Sequence, residues 1–213
     1  MCLDVRTSWL RSAIPVRIWG MVDPLALRLA NTIRATSRGL TDAFATPEST
    51  RDWLRANAAH LRVYLDLDDY LPSEADRTAL VDLRQNVRSL FAEYVAPQPP
   101  SSADAAVLPP FPEALAAINN ATAPSQRLLG WGRNGPRADE RLLTADDLDT
   151  VMAGLADATI EFFTGPVASQ IRVCPAPRCV RYFLKSHPRQ EWCSVACGNR
   201  ARAARHYAQH RED

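Results

Sequence analysis

No run of about eighteen or more apolar residues occurs anywhere in this 213-residue chain, which excludes a membrane-spanning helix. The first twenty residues contain Asp4, Arg6, Arg11, Pro15 and Arg17, and these break up the apolar stretch that a secretory signal requires. They read as a disordered extension, or as upstream sequence from an early start with Met21 as the alternative start. Phosphate-cradling and nucleophile motifs are also missing: there is no P-loop, no Gly-x-Gly-x-x-Gly, no Gly-x-Ser-x-Gly and no His-Glu-x-x-His. Internal repeats are not apparent. Asp66, Asp68 and Asp69 form an acidic cluster without the glycine and distal glutamate of a calcium loop, so they read as a solvated connection. His60, the one histidine before residue 187, has no partner visible in sequence. Nothing in the chain points to an enzyme.

Cysteine is scarce too, with five residues, but four of them fall within 24 positions near the C-terminus. Cys174 and Cys179 form one pair and Cys193 and Cys197 another; Cys2 is far away. Each pair closes a tight loop that aims two thiolates at a common point, the pattern of a tetrahedral zinc site. Four sulfurs fill the tetrahedron and leave no position for a catalytic water, so one zinc serves structure. The competing disulfide reading needs an oxidising compartment, for which the chain offers no secretory signal. His187, His206 and His210 receive no ligand role, because the four thiolates already complete the site.

The residues after Cys197 are rich in alanine and arginine and free of proline, which predicts a helix starting at the metal. A cysteine knuckle, a hairpin and a second pair at a helix start make a small treble-clef-like finger. Arg202, Arg205 and Gln209 recur at helical spacing and share a face. Trp192, Tyr182 and Phe183 read as the finger's small core. Charge is split along the chain: residues 171–213 hold nine Lys/Arg against three acids, while the whole chain is only +1. Such a tail can neutralise a few phosphates. It can equally be a solvated face that offsets thiolate charge. Asn199 and Arg200 carry the same two readings, base contact or support of the zinc loop. Gly198 reads as a place where the backbone passes close to the metal or adopts a positive φ.

The run Trp192, Cys193, Ser194, Val195, Ala196, Cys197, Gly198, Asn199, Arg200 resembles the signature of the CGNR zinc-finger family of bacteria. The stretch Leu25 to Ala30, followed by the pair Asn31-Thr32, resembles the opening of the helical ABATE domain that precedes this finger in the family, whose name casts it as a stress-induced transcription regulator. The resemblance implies a cytoplasmic DNA-binding regulator. Two departures stand out. Lys185 follows Phe183-Leu184 where relatives often have an acid, and Gln190-Glu191 precede Trp192 where basic residues are common.

Helical patterning dominates the body. Ser73 with Asp76 forms a capping-box-like start to a helix reaching Val95, with Leu80, Leu83, Val87, Leu90, Phe91 and Tyr94 as its apolar stripe. Thr144 with Asp147 opens another, whose Leu148, Met152, Leu155, Ile160 and Phe163 face inward until Gly165-Pro166 stops it. Helices also fit Pro24 to Thr36, Pro47 to Val63 and Glu113 to Ala121. The proline-rich stretch from Ala96 to Pro112 reads as an exposed connection, and Arg127 to Leu143 as a hairpin turning at Gly130, Gly132 or Asn134-Gly135.

The expected fold class is therefore mainly α: residues 1–20 outside the fold, a helical ABATE-like domain over 21–165 with a possible small hairpin, and a zinc finger over 171–213. The expected partner is double-stranded DNA, contacted by Arg200, Arg202 and Arg205 with Asn199, and by Lys185 and Arg189 on the backbone. One finger is a small module, so dimerisation or help from the N-terminal domain is implied. A small-molecule effector and self-pairing both remain open as the role of the helical domain. The alternative function is a zinc-stabilised protein-interaction module without DNA binding. A thiolate redox switch is a third.

Overall fold

The computed structural model describes residues 23–36, 39–61, 67, 69–101, 104, 107–132, 135–143 and 146–209, with the backbone alone for 127–132 and 135–142. The expected extension over 1–20, Thr144, Asp66, Asp68 and His210 lie outside the described residues.

Six helices and three two-stranded antiparallel hairpins make up the described chain. Helix α1 (Leu25–Ala30) is short and almost wholly buried. It ends before the expected helix would, because Asn31 and Thr32 spend their side chains on distant partners and the chain continues as β1 (Ile33–Thr36), paired with β2 (Gly39–Asp42). The β-branched Ile33, Thr36 and Thr41 suit that pairing. Helix α2 (Pro47–Ala56) starts on a capping box between Thr46 and Ser49 and ends at Ala56, seven residues short of the expected end; a 3₁₀ turn over Ala58–His60 follows.

Helix α3 (Glu74–Val95) is the spine. Ser73 Oγ accepts from the Asp76 N–H at 3.1 Å and the Asp76 carboxylate accepts from the Ser73 N–H at 3.0 Å, the reciprocal cap expected from the sequence. Leu80, Leu83, Val87 and Phe91 are buried, whereas Tyr94 sits at the rim of the core, its ring 5.5 Å from that of Phe163. Helix α4 (Phe111–Ala121) begins within the proline-rich stretch, since prolines are at ease in a first helical turn. The hairpin β3 (Ser125–Gly132) and β4 (Gly135–Leu142) pairs Gly132 with Gly135, so the chain reverses between these two glycines and past Gly130; Asn134 lies outside the described residues. Helix α5 (Asp147–Thr164) is capped by Asp146, whose side chain accepts from the Asp149 N–H. Ile160 points outward; Phe162 takes the buried position near the helix end. At Gly165 an added Cβ would lie 2.8 Å from the Glu161 carbonyl oxygen, so only glycine lets the chain leave α5 at this angle.

The last hairpin, β5 (Ile171–Val173) with β6 (Tyr182–Leu184), precedes helix α6 (Val195–Gln209). Ile171, Val173 and Tyr182 are buried in the body's hydrophobic core rather than in a separate one. Tyr182 stacks on Phe91 at 5.2 Å, and Phe91 also meets Phe162 and Phe163. A smaller core joins Cys174, Ala176, Cys179, Phe183, Cys197 and Ala201, with Trp192 packed at its edge. Tyr182 therefore belongs to the body and not, as expected, to the finger's own core.

Candidate metal centre and nucleic-acid interface

Cys174 and Cys179 sit in the connection between β5 and β6, so the hairpin itself is the knuckle. The Cys174 N–H donates to the Arg181 carbonyl and the Cys179 N–H to that of Ala176. Arg178, just before the second cysteine, holds a φ of 59°, the left-handed conformation that turns Cys179 back toward Cys174. At the other side, Ser194 Oγ caps α6 by accepting from the Cys197 N–H at 3.2 Å, which fixes Cys197 in the first helical turn. Cys193 comes just before the helix, and its N–H points at Cys174 Sγ at 3.4 Å.

The four sulfurs lie within 4.8 Å of one another. Cys179 to Cys193, Cys193 to Cys197 and Cys197 to Cys179 measure 3.7, 3.5 and 3.7 Å. A tetrahedron with metal–sulfur bonds of about 2.3 Å has edges of about 3.8 Å, so the cluster is already the size of a Cys₄ zinc site. Its electrostatics ask for a cation. With protons alone to share, Cys174 is drawn down to about 2, chiefly by the hydrogen bond from Cys179 and then that from Cys193. Cys179 is pushed up to about 11, first by its bond to Cys174, and Cys193 is pushed far above the ordinary thiol range by Cys174 and Cys179. A divalent cation removes that competition, because it stabilises every thiolate at once. One structural zinc thus fits the donor set, the spacing and the burial.

Arg200 places Nη2 3.2 Å from Cys197 Sγ, so it offsets thiolate charge. Asn199 Oδ1 accepts from Arg202 Nη2 at 2.6 Å. The Arg202 and Arg205 guanidinium carbons lie 5.7 and 5.9 Å from the centre of the Trp192 ring, which makes the indole a platform under both. Gly198 is helical and buried against that same ring. An added Cβ there would come 3.1 Å from Trp192 Cε3, so glycine is required by the close tryptophan ring and not by a positive φ. His187 Nδ1 accepts from the exposed Arg189's N–H, and no histidine joins the sulfur cluster among the described residues. Gln190 holds the loop from within: its Oε1 accepts from the Ser186 N–H and hydroxyl, and its Nε2 donates to the Trp192 carbonyl.

Two stretches of the chain match family models: residues 23–166 match ABATE, whose description reads Putative stress-induced transcription regulator, and residues 170–210 match the CGNR zinc finger. The chain belongs to the ABATE family. No curated protein matches it at a significant level. In this ABATE protein the Asn31-Thr32 pair has a physical task that sequence alone does not reveal. Asn31 Nδ2 donates to the Tyr182 carbonyl at 2.9 Å, and its Oδ1 accepts from the Tyr182 N–H at 3.1 Å. Thr32 Oγ1 accepts from Arg84, which also meets the Asp42 carboxylate at 2.5 Å.

A second buried network runs beside it. Arg88 is fully buried, forks onto Asp104 at 2.5 and 2.9 Å, and donates to the carbonyls of Ala30 and Val180. The Tyr182 hydroxyl donates to Asp104 Oδ2 at 2.9 Å. Asp104 lies in the stretch expected to be an exposed connection yet is 1% exposed. The signal for this network is present in the sequence: Arg84 and Arg88 are one helical turn apart and interrupt the apolar face of α3.

None of the described helices is long and apolar enough to cross a membrane.

Proposed function

We propose that this zinc-finger protein is a cytoplasmic, non-enzymatic regulator that binds double-stranded DNA through the distal part of α6. One observation carries this reading: α6 leaves the finger's core at Ala201, and every residue from Arg202 to Gln209 is exposed. A helix that projects clear of its own protein with two arginines held on an indole has the shape and charge to enter a major groove. Arg202 and Arg205 are the groove and phosphate contacts, with Lys185 and Arg189 on the adjoining loop as backbone contacts. Arg200 and Asn199 act one step behind, since the first is held at a ligand sulfur and the second orients Arg202. A single finger offers little interface, so two copies on neighbouring half-sites complete a specific complex.

The zinc-loaded full chain, titrated against mixed-sequence duplex DNA by fluorescence anisotropy at two salt concentrations, tests this. Neutralising about three phosphates implies a loss of about 40-fold in affinity between about 50 and 200 mM salt. The pair Arg202→Glu and Arg205→Glu should abolish binding while keeping one zinc per chain. Exposed Val195 and Tyr207 on the same helix suit a protein partner instead. Full zinc with no DNA affinity at low salt would favour that second reading.

A further inference from the structure

Where the helical body meets the finger, a cleft of about 620 Å³ opens between the proline-rich segment and the knuckle. Its size is that of a small-molecule site, about 300–1,000 Å³, and the seam between two structural units is where such sites tend to form. Pro99 and Pro100 supply an apolar wall and Phe183 part of the floor. Three cations from three consecutive pieces of the finger line it: Arg172 on β5, Arg178 in the knuckle and Lys185 just after β6. Glu191 is the one carboxylate of the lining, which also reaches the ligand cysteines Cys174 and Cys179, so the three cations stand between one acid and the edge of the thiolate site.

None of these three cations forms an ion pair among the described residues. Arg172 is steered by the carbonyls of Ser169 and Ile171 at 3.0 and 2.6 Å, which fix a guanidinium without neutralising it. The guanidinium hydrogen-bonded to a ligand sulfur is that of Arg200 and not one of these three. Arg178 adds an observation of its own. Its φ of 59° is a conformation in which glycine is at ease and a side chain is strained, yet an exposed cation stands there at the cleft.

We propose that this cleft binds a small organic anion, with a phosphate or carboxylate head between Arg172, Arg178 and Lys185 and a flat apolar body against Pro99, Pro100 and Phe183. The site lies away from the exposed end of α6 and shares only Lys185 with the proposed DNA contacts, and its occupant touches both the body and the knuckle.

Phenyl phosphate and benzoate serve as probes of the two head groups and phenol as the neutral control, each titrated into the zinc-loaded full chain while amide NMR shifts are followed. At least one anion should give saturable shifts confined to residues 98–101 and 172–191, and phenol at equal concentration should not; which anion binds tells phosphate from carboxylate. Arg178→Gly removes one cation at a position whose backbone glycine prefers, so zinc content is retained while anion affinity falls about tenfold. Arg172→Gln should act in the same direction. No saturable shift with either anion up to about 10 mM, a range that reaches well below ordinary ligand affinity, would overturn the proposal. Unchanged anion affinity in the Arg172→Gln/Arg178→Gly double variant would do so as well. Equal loss of DNA affinity in Arg178→Gly would make the cleft part of the DNA face and end the small-ligand assignment.

Discussion

Asn31 holds the main chain of Tyr182 from both sides across 151 residues of sequence, donating to its carbonyl and accepting from its N–H. In the antiparallel β5–β6 pair those two groups point away from β5, because the ladder bonds run through Arg181 and Lys185 on either side. The asparagine amide thus stands in for a third strand and joins the opening of the helical body to the finger's hairpin. Asn31→Asp keeps an acceptor but loses the donor, leaving a buried carbonyl facing a carboxylate. The expected cost is about 1–3 kcal/mol, and Asn31→Leu, which orphans both groups, should cost more. Urea unfolding of the zinc-loaded protein checks this; a change below about 0.5 kcal/mol for either variant would show that the clasp is not what holds the two parts together.

The Arg88–Asp104 pair is 0% and 1% exposed at its side chains, so neither charge has water to fall back on. Asp104→Asn leaves the Arg88 guanidinium buried and uncompensated, a loss of about 3–5 kcal/mol. Replacing both by apolar residues, as in Arg88→Met/Asp104→Leu, removes the charge together with its partner and should recover part of that loss. Tyr182→Phe, which leaves one Asp104 lone pair unfilled, should cost about 1 kcal/mol. Thermal unfolding of the three variants decides the order; a double variant less stable than Asp104→Asn alone would contradict the buried-charge explanation.

Much of this protein was legible in its sequence because the relevant forces are local. The Ser73–Asp76 cap, the stop at Gly165 and the cysteine spacing each depend on residues within one or two turns of chain. The four sulfurs required only that two tight loops meet. What escaped depends on partners far away. The helix expected to reach Thr36 ends at Ala30 because Asn31 is committed to Tyr182 and Thr32 to Arg84. Asp104 looks like one more polar residue in a proline-rich connection until Arg88 and Tyr182 are seen beside it. Tyr182 and Phe183 are neighbours of similar character, and the two-residue period of β6 sends one to the body and the other to the finger.

Zinc should therefore govern more than the finger. Ile171, Val173 and Tyr182 enter the body's core from the strands that carry the knuckle, so a knuckle freed of its metal loosens side chains packed on Phe91. Chelation is expected to lower the melting temperature of the helical body by several degrees, and added zinc should restore it. Circular dichroism at helical wavelengths, dominated by α3 and α5, reads the body directly. An unchanged helical transition in the presence of chelator would mean that the body folds without regard to the metal.

The tyrosines give stability a predictable alkaline limit. Burial, reinforced by the Asp104 charge, pushes the Tyr182 phenol well above its ordinary value, and burial with Asp76 does the same for Tyr70. A group whose folded pKa is raised contributes stability that is intact below the unfolded value of about 10 and is lost as pH rises through the folded one. The chain has a single lysine, Lys185, so few other groups titrate in that window. Stability of the zinc-loaded protein should stay level to about pH 9 and fall steeply above about pH 10. The fall should be shallower in Tyr182→Phe/Tyr70→Phe. Parallel pH profiles for wild type and the double variant would assign the alkaline loss elsewhere.

Trp192 provides the sharpest separation of structure from recognition. Its ring lies under Arg202 and Arg205 and against Gly198, outside the sulfur cluster itself. Trp192→Leu retains apolar cover for the finger's core but removes the flat face that holds the two guanidinium groups. Zinc stoichiometry should remain at one per chain, while the arginines regain rotamer freedom that DNA must then suppress, at about 0.5–1.5 kcal/mol for each. The sum corresponds to roughly a 5- to 150-fold weaker complex, with the salt dependence unchanged because the same charges still meet the same phosphates. Trp192→Phe, which keeps an aromatic face of smaller area, should fall between the two. If Trp192→Leu binds DNA as tightly as wild type, the indole serves the finger's packing alone and the arginines need no platform to reach the groove.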